Sequence, residues 1–169
     1  MADLSTEGPF AHAREPIRLA TIWVDRWRNG PPPRKGLYFH GPNGTGKTSV
    51  ASAIAIELED ATFWAVRDLI ATAKSEFGCD VRWPVVEKCV RASLLILDDV
   101  GVMRNTAYVT ETVQDIIARR YDREGLTILT SNFAPDAIRV IVGDACHSRL
   151  MGSTAPVQMT TSDLRLAPA

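Results

Sequence analysis

Cysteine is scarce in this chain, and no apolar run is long enough to cross a bilayer. Cys79, Cys89 and Cys146 are scattered, odd in number and without C-x-x-C spacing. That argues against a disulfide framework or a cysteine zinc site, and suits buried thiols in a reducing cytoplasm. A spanning helix needs about 18 consecutive apolar residues, and none occur. The N-terminus lacks the basic-then-apolar layout of a secretory signal, so a cytoplasmic location without membrane contact is expected. Excess charge of one sign is also missing. The net charge is −1, which gives no general electrostatic pull toward nucleic acid or membrane; DNA contact would require a local basic patch. Internal repeats and low-complexity tracts are absent as well.

What is present is ordinary globular material. The 169 residues are 46% hydrophobic and 23% charged, enough for one domain with a proper core and short for two. Within it, GPNGTGKT from Gly41 to Thr48 fits G-x-x-x-x-G-K-[ST], the phosphate-binding loop of nucleoside triphosphatases. A triphosphate is bulky and anionic, so the backbone must wrap it with N–H groups pointing inward. The glycines at 41, 44 and 46 allow that approach. Pro42, Asn43 and Thr45 complete the loop, and Ser49 follows it. Lys47 can place an ammonium on the β- and γ-phosphates, and the Thr48 hydroxyl can ligate Mg²⁺. A nucleoside triphosphate with Mg²⁺ is the implied ligand, and no guanine-reading N-K-x-D motif occurs.

The context agrees with the motif. GLYFH, Gly36 to His40, reads as a strand before the loop. TSVASAIAIELED reads as a helix after it, with Val50, Ile54 and Leu58 on one stripe beside Ala51 and Ala55. Pro16 to Asn29 has helical spacing and is ended by GPPP. ATFWAV is a second strand, followed by helices over RDLIATAKSEF and VVEKCVRA with GCDVRWP as a loop between them. SLLILDDVG is a continuous apolar run ended by two aspartates, the pattern of a buried parallel strand. Thr106 to Tyr121 puts Val109, Val113, Ile116, Ile117 and Tyr121 on one helical face. Leu126 to Asn132 is a fourth strand. Short helices near Pro135–Ile141 and Asp144–Met151 precede a last strand in PVQMT. Alternating strands and helices predict a doubly wound α/β sheet that binds ligands at the carboxyl ends of its strands.

Asp98 closes the apolar strand, where a carboxylate can reach Mg²⁺ directly or through water. Asp99 stands beside it, placed to orient or deprotonate water. The competing reading is an acidic surface turn. Asn132 ends the next strand and can emerge at the same edge, bonding water or the γ-phosphate. It can equally cap the helix that starts at Ala134-Pro135, and the polar atom of interest can belong to Thr130 or Ser131 instead.

GLYFHGPNGTGKT, LLILDDVG, RRYDREGLTILTSNF and GDACHSRL follow in that order. The set resembles the AAA+ ATPases of the DnaC/IstB group, the bacterial and phage replicative-helicase loaders and their transposition-helper relatives, from about Trp23 to Arg165. The resemblance implies a three-layer P-loop NTPase with a central parallel sheet and a reduced or absent helical lid. Residues 1–15 are then expected to be a flexible arm and residues 16–169 the AAA+ ATPase domain. It assigns Lys47 and Thr48 to Walker A, Asp98 and Asp99 to Walker B, Asn132 to sensor 1 and Arg149 to an arginine finger. That finger reaches the nucleotide of a neighbouring subunit, so self-association is implied. Arg165 resembles a late sensor-2-type arginine near the nucleotide. Ala145 stands where relatives often carry a basic residue four positions before the finger. The stretch before the core helix is too short for a separate helicase-binding domain.

The group's loaders act on a replicative helicase and grip single-stranded DNA between the second strand and the Walker B strand. Here that segment contains Lys74, Phe77, Arg82, Trp83, Lys88 and Arg91. Basic residues with interleaved aromatics suit phosphate neutralisation and base stacking. The aromatics can instead pack helices, and Glu76, Asp80 and Glu87 dilute the charge. The function expected is therefore ATP hydrolysis coupled to assembly on a replicative helicase, single-stranded DNA or both. The alternatives are an IstB-like transposition helper, a nucleotide-dependent adaptor with little turnover, and a small-molecule kinase. No arginine-rich lid favours the last.

Overall fold

The computed structural model describes residues 14–76, 84–101 and 107–160. Helix α1 (Arg14–Asn29) leads into strand β1 (Gly36–His40) and helix α2 (Lys47–Glu57). Strand β2 (Ala61–Ala65) is followed by α3 (Val66–Ser75) and α4 (Pro84–Arg91). Then come β3 (Leu94–Asp98), α5 (Ala107–Asp122), β4 (Leu126–Ser131), α6 (Pro135–Val142), α7 (Asp144–Ser153) and β5 (Thr154–Gln158). The five strands form one sheet in the order β2-β3-β4-β1-β5, and every pairing is parallel.

The side-chain alternation of a strand divides the core into two layers. Leu37, Phe39, Leu94, Ile96 and Ile128 face α1 and α2, where they meet Trp23, Val50 and Ile54. Tyr38, Leu95, Leu97 and Leu129 face the opposite side, where α3 to α7 contribute Leu69, Val86, Ile116, Ile138 and Leu150. β1 and β3 are buried at all positions because helices cover both faces. Truncating a leucine in either layer is expected to cost about 2–5 kcal/mol.

Both cysteines among the described residues are buried free thiols, and burial pushes them up to about 11 (Cys89) and about 12 (Cys146). No helix among the described residues is long and apolar enough to cross a membrane. Nor does a helical lid follow β5 among them.

One helical face differs from the expected stripe. On α5, Val109, Val113, Ile116 and Ile117 are buried, but Tyr121 is 44% exposed and Arg120 is 1% exposed. The guanidinium replaces the tyrosine because its several N–H donors serve the carbonyls gathered there. Its Nη1 donates to the carbonyls of Cys89 (2.7 Å), Val90 (3.2 Å) and Ala92 (2.8 Å), which include the open end of α4. Its Nε donates to Thr127 Oγ1 at 2.9 Å and its Nη2 to the Leu126 carbonyl. One arginine thus ties α4, α5 and the start of β4 together.

Candidate nucleotide site

The topology decides what meets at the carboxyl edge of the sheet. β4 lies between β3 and β1, so the ends of these three strands carry Asp98, Ser131 and His40 side by side. The chain leaves β1 through Gly41 and enters α2 at Lys47. Gly41 has φ +148, and a Cβ there would lie 2.2 Å from the Met159 carbonyl oxygen. Residues leaving β5 press against this turn, as the Met159 N–H bond to the His40 carbonyl (2.7 Å) shows. Only glycine fits. Gly46, the N-cap of α2, is left-handed at φ 85, and no side chain caps the helix. Its first turn carries no acidic residue. The leading N–H groups and the helix dipole therefore favour an anion.

Inside the loop, the buried Thr45 hydroxyl donates to the Pro42 carbonyl at 3.0 Å. Lys47 is 5% exposed, and its Nζ donates to the carbonyls of Gly41 (2.9 Å) and Pro42 (2.7 Å). Asn43 and Thr48 are exposed, while Gly44 and Ser49 are half-buried. The Thr48 hydroxyl donates to both carboxylate oxygens of Asp98, at 3.0 and 3.1 Å. Asp99 is exposed and takes a left-handed backbone with φ 60. Desolvation, reinforced by the neighbouring Asp98, holds its carboxyl above the usual aspartate value. Burial and the Lys47 ammonium lower the pKa of His40, which sits under the loop.

Asn132 is the first residue past β4 and is half-buried. Its Oδ1 is buried without a hydrogen-bond partner among the described residues. Its neighbours are pinned. Ser131 Oγ donates to the Val100 carbonyl (2.6 Å) and accepts the Phe133 N–H (3.2 Å). The Tyr38 hydroxyl donates to the Phe133 carbonyl at 2.6 Å. An amide held this firmly with a buried oxygen unserved is set up for a ligand or an ordered water.

The structure does not bring Arg149 into this cluster. Arg149 lies in α7, where its Nη1 donates to the Ala145 carbonyl at 3.4 Å. It makes no ion pair among the described residues. α7 packs on α5, α6 and β5 and runs toward the amino end of the sheet, where Thr154 pairs with Gly36. Of the expected DNA-contact residues, Lys74 lies over the Tyr108 ring at 5.5 Å and Arg91 pairs with Glu87 at 3.4 Å. Lys88 is exposed on α4. Phe77, Arg82, Trp83 and Arg165 lie outside the described residues.

The donor set fits a magnesium nucleotide. No group of three or more His, Cys, Asp or Glu side chains that could hold an ion occurs among the described residues. Magnesium in nucleotide sites needs only one or two protein groups, because phosphates and water complete its shell. Thr48 gives its proton to Asp98 and so keeps its lone pairs for a cation.

The parallel sheet, the phosphate loop at its carboxyl edge and the paired aspartates define a P-loop NTPase domain. A family model described as IstB-like ATP binding protein matches residues 32–153, and the chain belongs to that family. Among curated relatives, the replication factor C large subunit of Methanosarcina mazei is 28% identical over 148 residues, covering 75% of this chain and 23% of the relative. The replicative helicase loader DnaI of Bacillus subtilis is 28% identical over 110 residues, covering 62% of this chain and 35% of the relative. The chain therefore spans about a quarter to a third of the length of these two relatives. Among solved structures, the crystal structure of the DnaC helicase loader superposes with a TM-score of 0.78 at 22% identity, covering 94% of this chain and 97% of that one. This likeness is one of fold.

Proposed function

We propose that the chain is an ATP-hydrolysing AAA+ protein that acts in DNA replication by nucleotide-dependent assembly on a replicative helicase, on single-stranded DNA, or on both. The observation that carries the reading is the Lys47–Thr48–Asp98 cluster at the end of the phosphate loop. Relatives described as replicative helicase loaders support the cellular role.

In this reading the backbone N–H groups of the loop and the Lys47 ammonium hold the phosphates. Lys47 exchanges the Gly41 and Pro42 carbonyls for phosphate oxygens. Thr48 and Asp98 would hold magnesium, which would supply neutralisation of phosphate charge. Asp99 orients the attacking water and accepts its proton; a carboxyl raised above its ordinary value is a better base for that task. Asn132 hydrogen-bonds the γ-phosphate or the water. Arg149 reaches the nucleotide of an adjoining copy, which makes hydrolysis depend on assembly. Its lack of an ion pair among the described residues is compatible with this role. Arg165 contacts the nucleotide from the segment after β5. Exposed Lys88 contacts single-stranded DNA in this reading, together with Lys74, Phe77, Arg82, Trp83 and Arg91 of the same stretch of sequence.

The test is ATP turnover per subunit as protein concentration rises, with and without single-stranded DNA and a replicative helicase. Turnover that climbs with concentration and responds to either partner is expected. A constant rate per subunit, or phosphate transfer to a nucleoside, would contradict the reading.

A further inference from the structure

Between the two aspartates and the centre of the sheet lies a hydroxyl to which the mechanism above gives no task. Thr130 is the fifth residue of β4 and is fully buried. Leu97 and Leu129 are register partners across β3 and β4. The next pair along that register is Asp98 and Thr130, and both side chains point toward α2. The Thr130 hydroxyl donates to Asp98 Oδ1 at 2.6 Å. Thr130 Oγ1 in turn accepts the backbone N–H of Asp99 at 2.9 Å. The Thr130 carbonyl accepts the Val100 N–H at 2.9 Å. Three successive residues of the turn are therefore fastened to one residue of the neighbouring strand.

We infer that Thr130 is a positioning residue that sets the aim of both aspartates; the inference rests on the nucleotide reading given above. A hydroxyl has one proton and two lone pairs. Here the proton goes to a carboxylate and a lone pair to an amide, so the orientation of each partner is fixed by the other. Asp98 Oδ1 accepts from Thr48 and from Thr130, whereas among the described residues Oδ2 accepts only from Thr48. The carboxylate cannot rotate without losing a charge-assisted bond. Oδ2 is left as the oxygen with spare acceptor capacity for a cation or its water. The second bond acts on Asp99, a non-glycine residue with left-handed backbone. That conformation is costly and persists only where the surroundings enforce it. The Asp99 N–H bond to Thr130 supplies that enforcement and sends the Asp99 side chain out of the strand line toward solvent.

The role makes Thr130 distinct from a packing threonine. Thr130→Val keeps shape and removes only the hydroxyl. Two measurements on this variant test the inference. In the protein without nucleotide, amide hydrogen exchange at Asp99 is expected to speed up by about tenfold or more. With an ATP analogue, affinity without magnesium is expected to match the parent protein, while the magnesium concentration needed to strengthen binding rises by about tenfold. Thr130→Ser, which keeps the hydroxyl, is expected to restore both values, and Thr130→Ala is not. The Ala and Ser variants differ only in the hydroxyl, so they decide the matter if the valine variant fails to fold. Unchanged Asp99 exchange and an unchanged magnesium requirement in the valine variant, or equal behaviour of the Ala and Ser variants, would overturn the inference. A parent protein that binds no nucleotide would sink the nucleotide reading itself, while the exchange measurement would still report on the Thr130 bonds.

Discussion

Thr48 and Asp98 are 50 residues apart in the chain, yet the threonine hydroxyl sits 3.0 and 3.1 Å from the two carboxylate oxygens. The first turn of α2 and the tip of β3 are thereby joined before any ligand is considered. Thr48→Val is expected to leave the fold intact and to weaken magnesium-dependent nucleotide binding by about tenfold, since a charge-assisted bond and the proposed metal ligand are lost together. Titrating an ATP analogue with and without magnesium checks this; equal loss under both conditions would assign Thr48 to phosphate contact instead.

Arg149 carries the assembly part of the proposal. Arg149→Ala is expected to bind ATP as the parent does and to lose turnover by about a hundredfold or more, the scale of a trans arginine finger. Mixing it with a Lys47→Ala variant is expected to recover some turnover, because one subunit supplies the loop and the other the arginine. Failure of the mixture to exceed either variant alone would remove the trans assignment.

Arg120 is expected to be a stability residue. Burial, and after it the neighbouring Arg123 charge, bring its pKa down to about 10, so it stays charged near neutral pH. Arg120→Met would leave the carbonyls of Cys89, Ala92 and Leu126 unserved and is expected to cost about 3 kcal/mol. Arg120→Lys is expected to rescue little, since one ammonium cannot span the same fork. Urea denaturation of the variants reads both outcomes.

His40 gives the protein an acid-sensitive term. Its folded pKa lies below the ordinary 6.5, chiefly through desolvation and then through Lys47. The unfolded chain therefore binds the proton first as pH falls. Stability from this residue is full above about pH 6.5 and declines on acidification below it. Thermal melts between pH 7.5 and 5 are expected to show a slope that shrinks in His40→Gln. An unchanged slope would place the proton uptake elsewhere.

Much of the architecture is legible in the sequence, for identifiable reasons. LLILD reads as a central strand because a strand covered on both faces has no polar position to spare. The loop reads directly because its glycines are dictated by backbone dihedrals and close approach, as at Gly41. Arg120 does not read, because a hydrophobic stripe assigns arginine to solvent and Tyr121 to the core. The carbonyls that reverse the assignment come from α4 and β4, remote in the chain. Thr130 and Ser131 are visible as polar residues near a strand tip, but their division of labour depends on which neighbour each faces. Thr130 faces Asp98 and Ser131 faces Val100. The pairing of Lys74 with the Tyr108 ring is likewise a tertiary fact, and it engages one of the cations expected to contact DNA.

The most direct test of the central claim is calorimetric titration of a non-hydrolysable ATP analogue, with magnesium present, into the parent protein and into Lys47→Ala. Saturable one-to-one binding by the parent, with a loss of about a hundredfold in the variant, is the expected result. Equal affinity in the two proteins would contradict the placement of the triphosphate in the loop from Gly41 to Thr48.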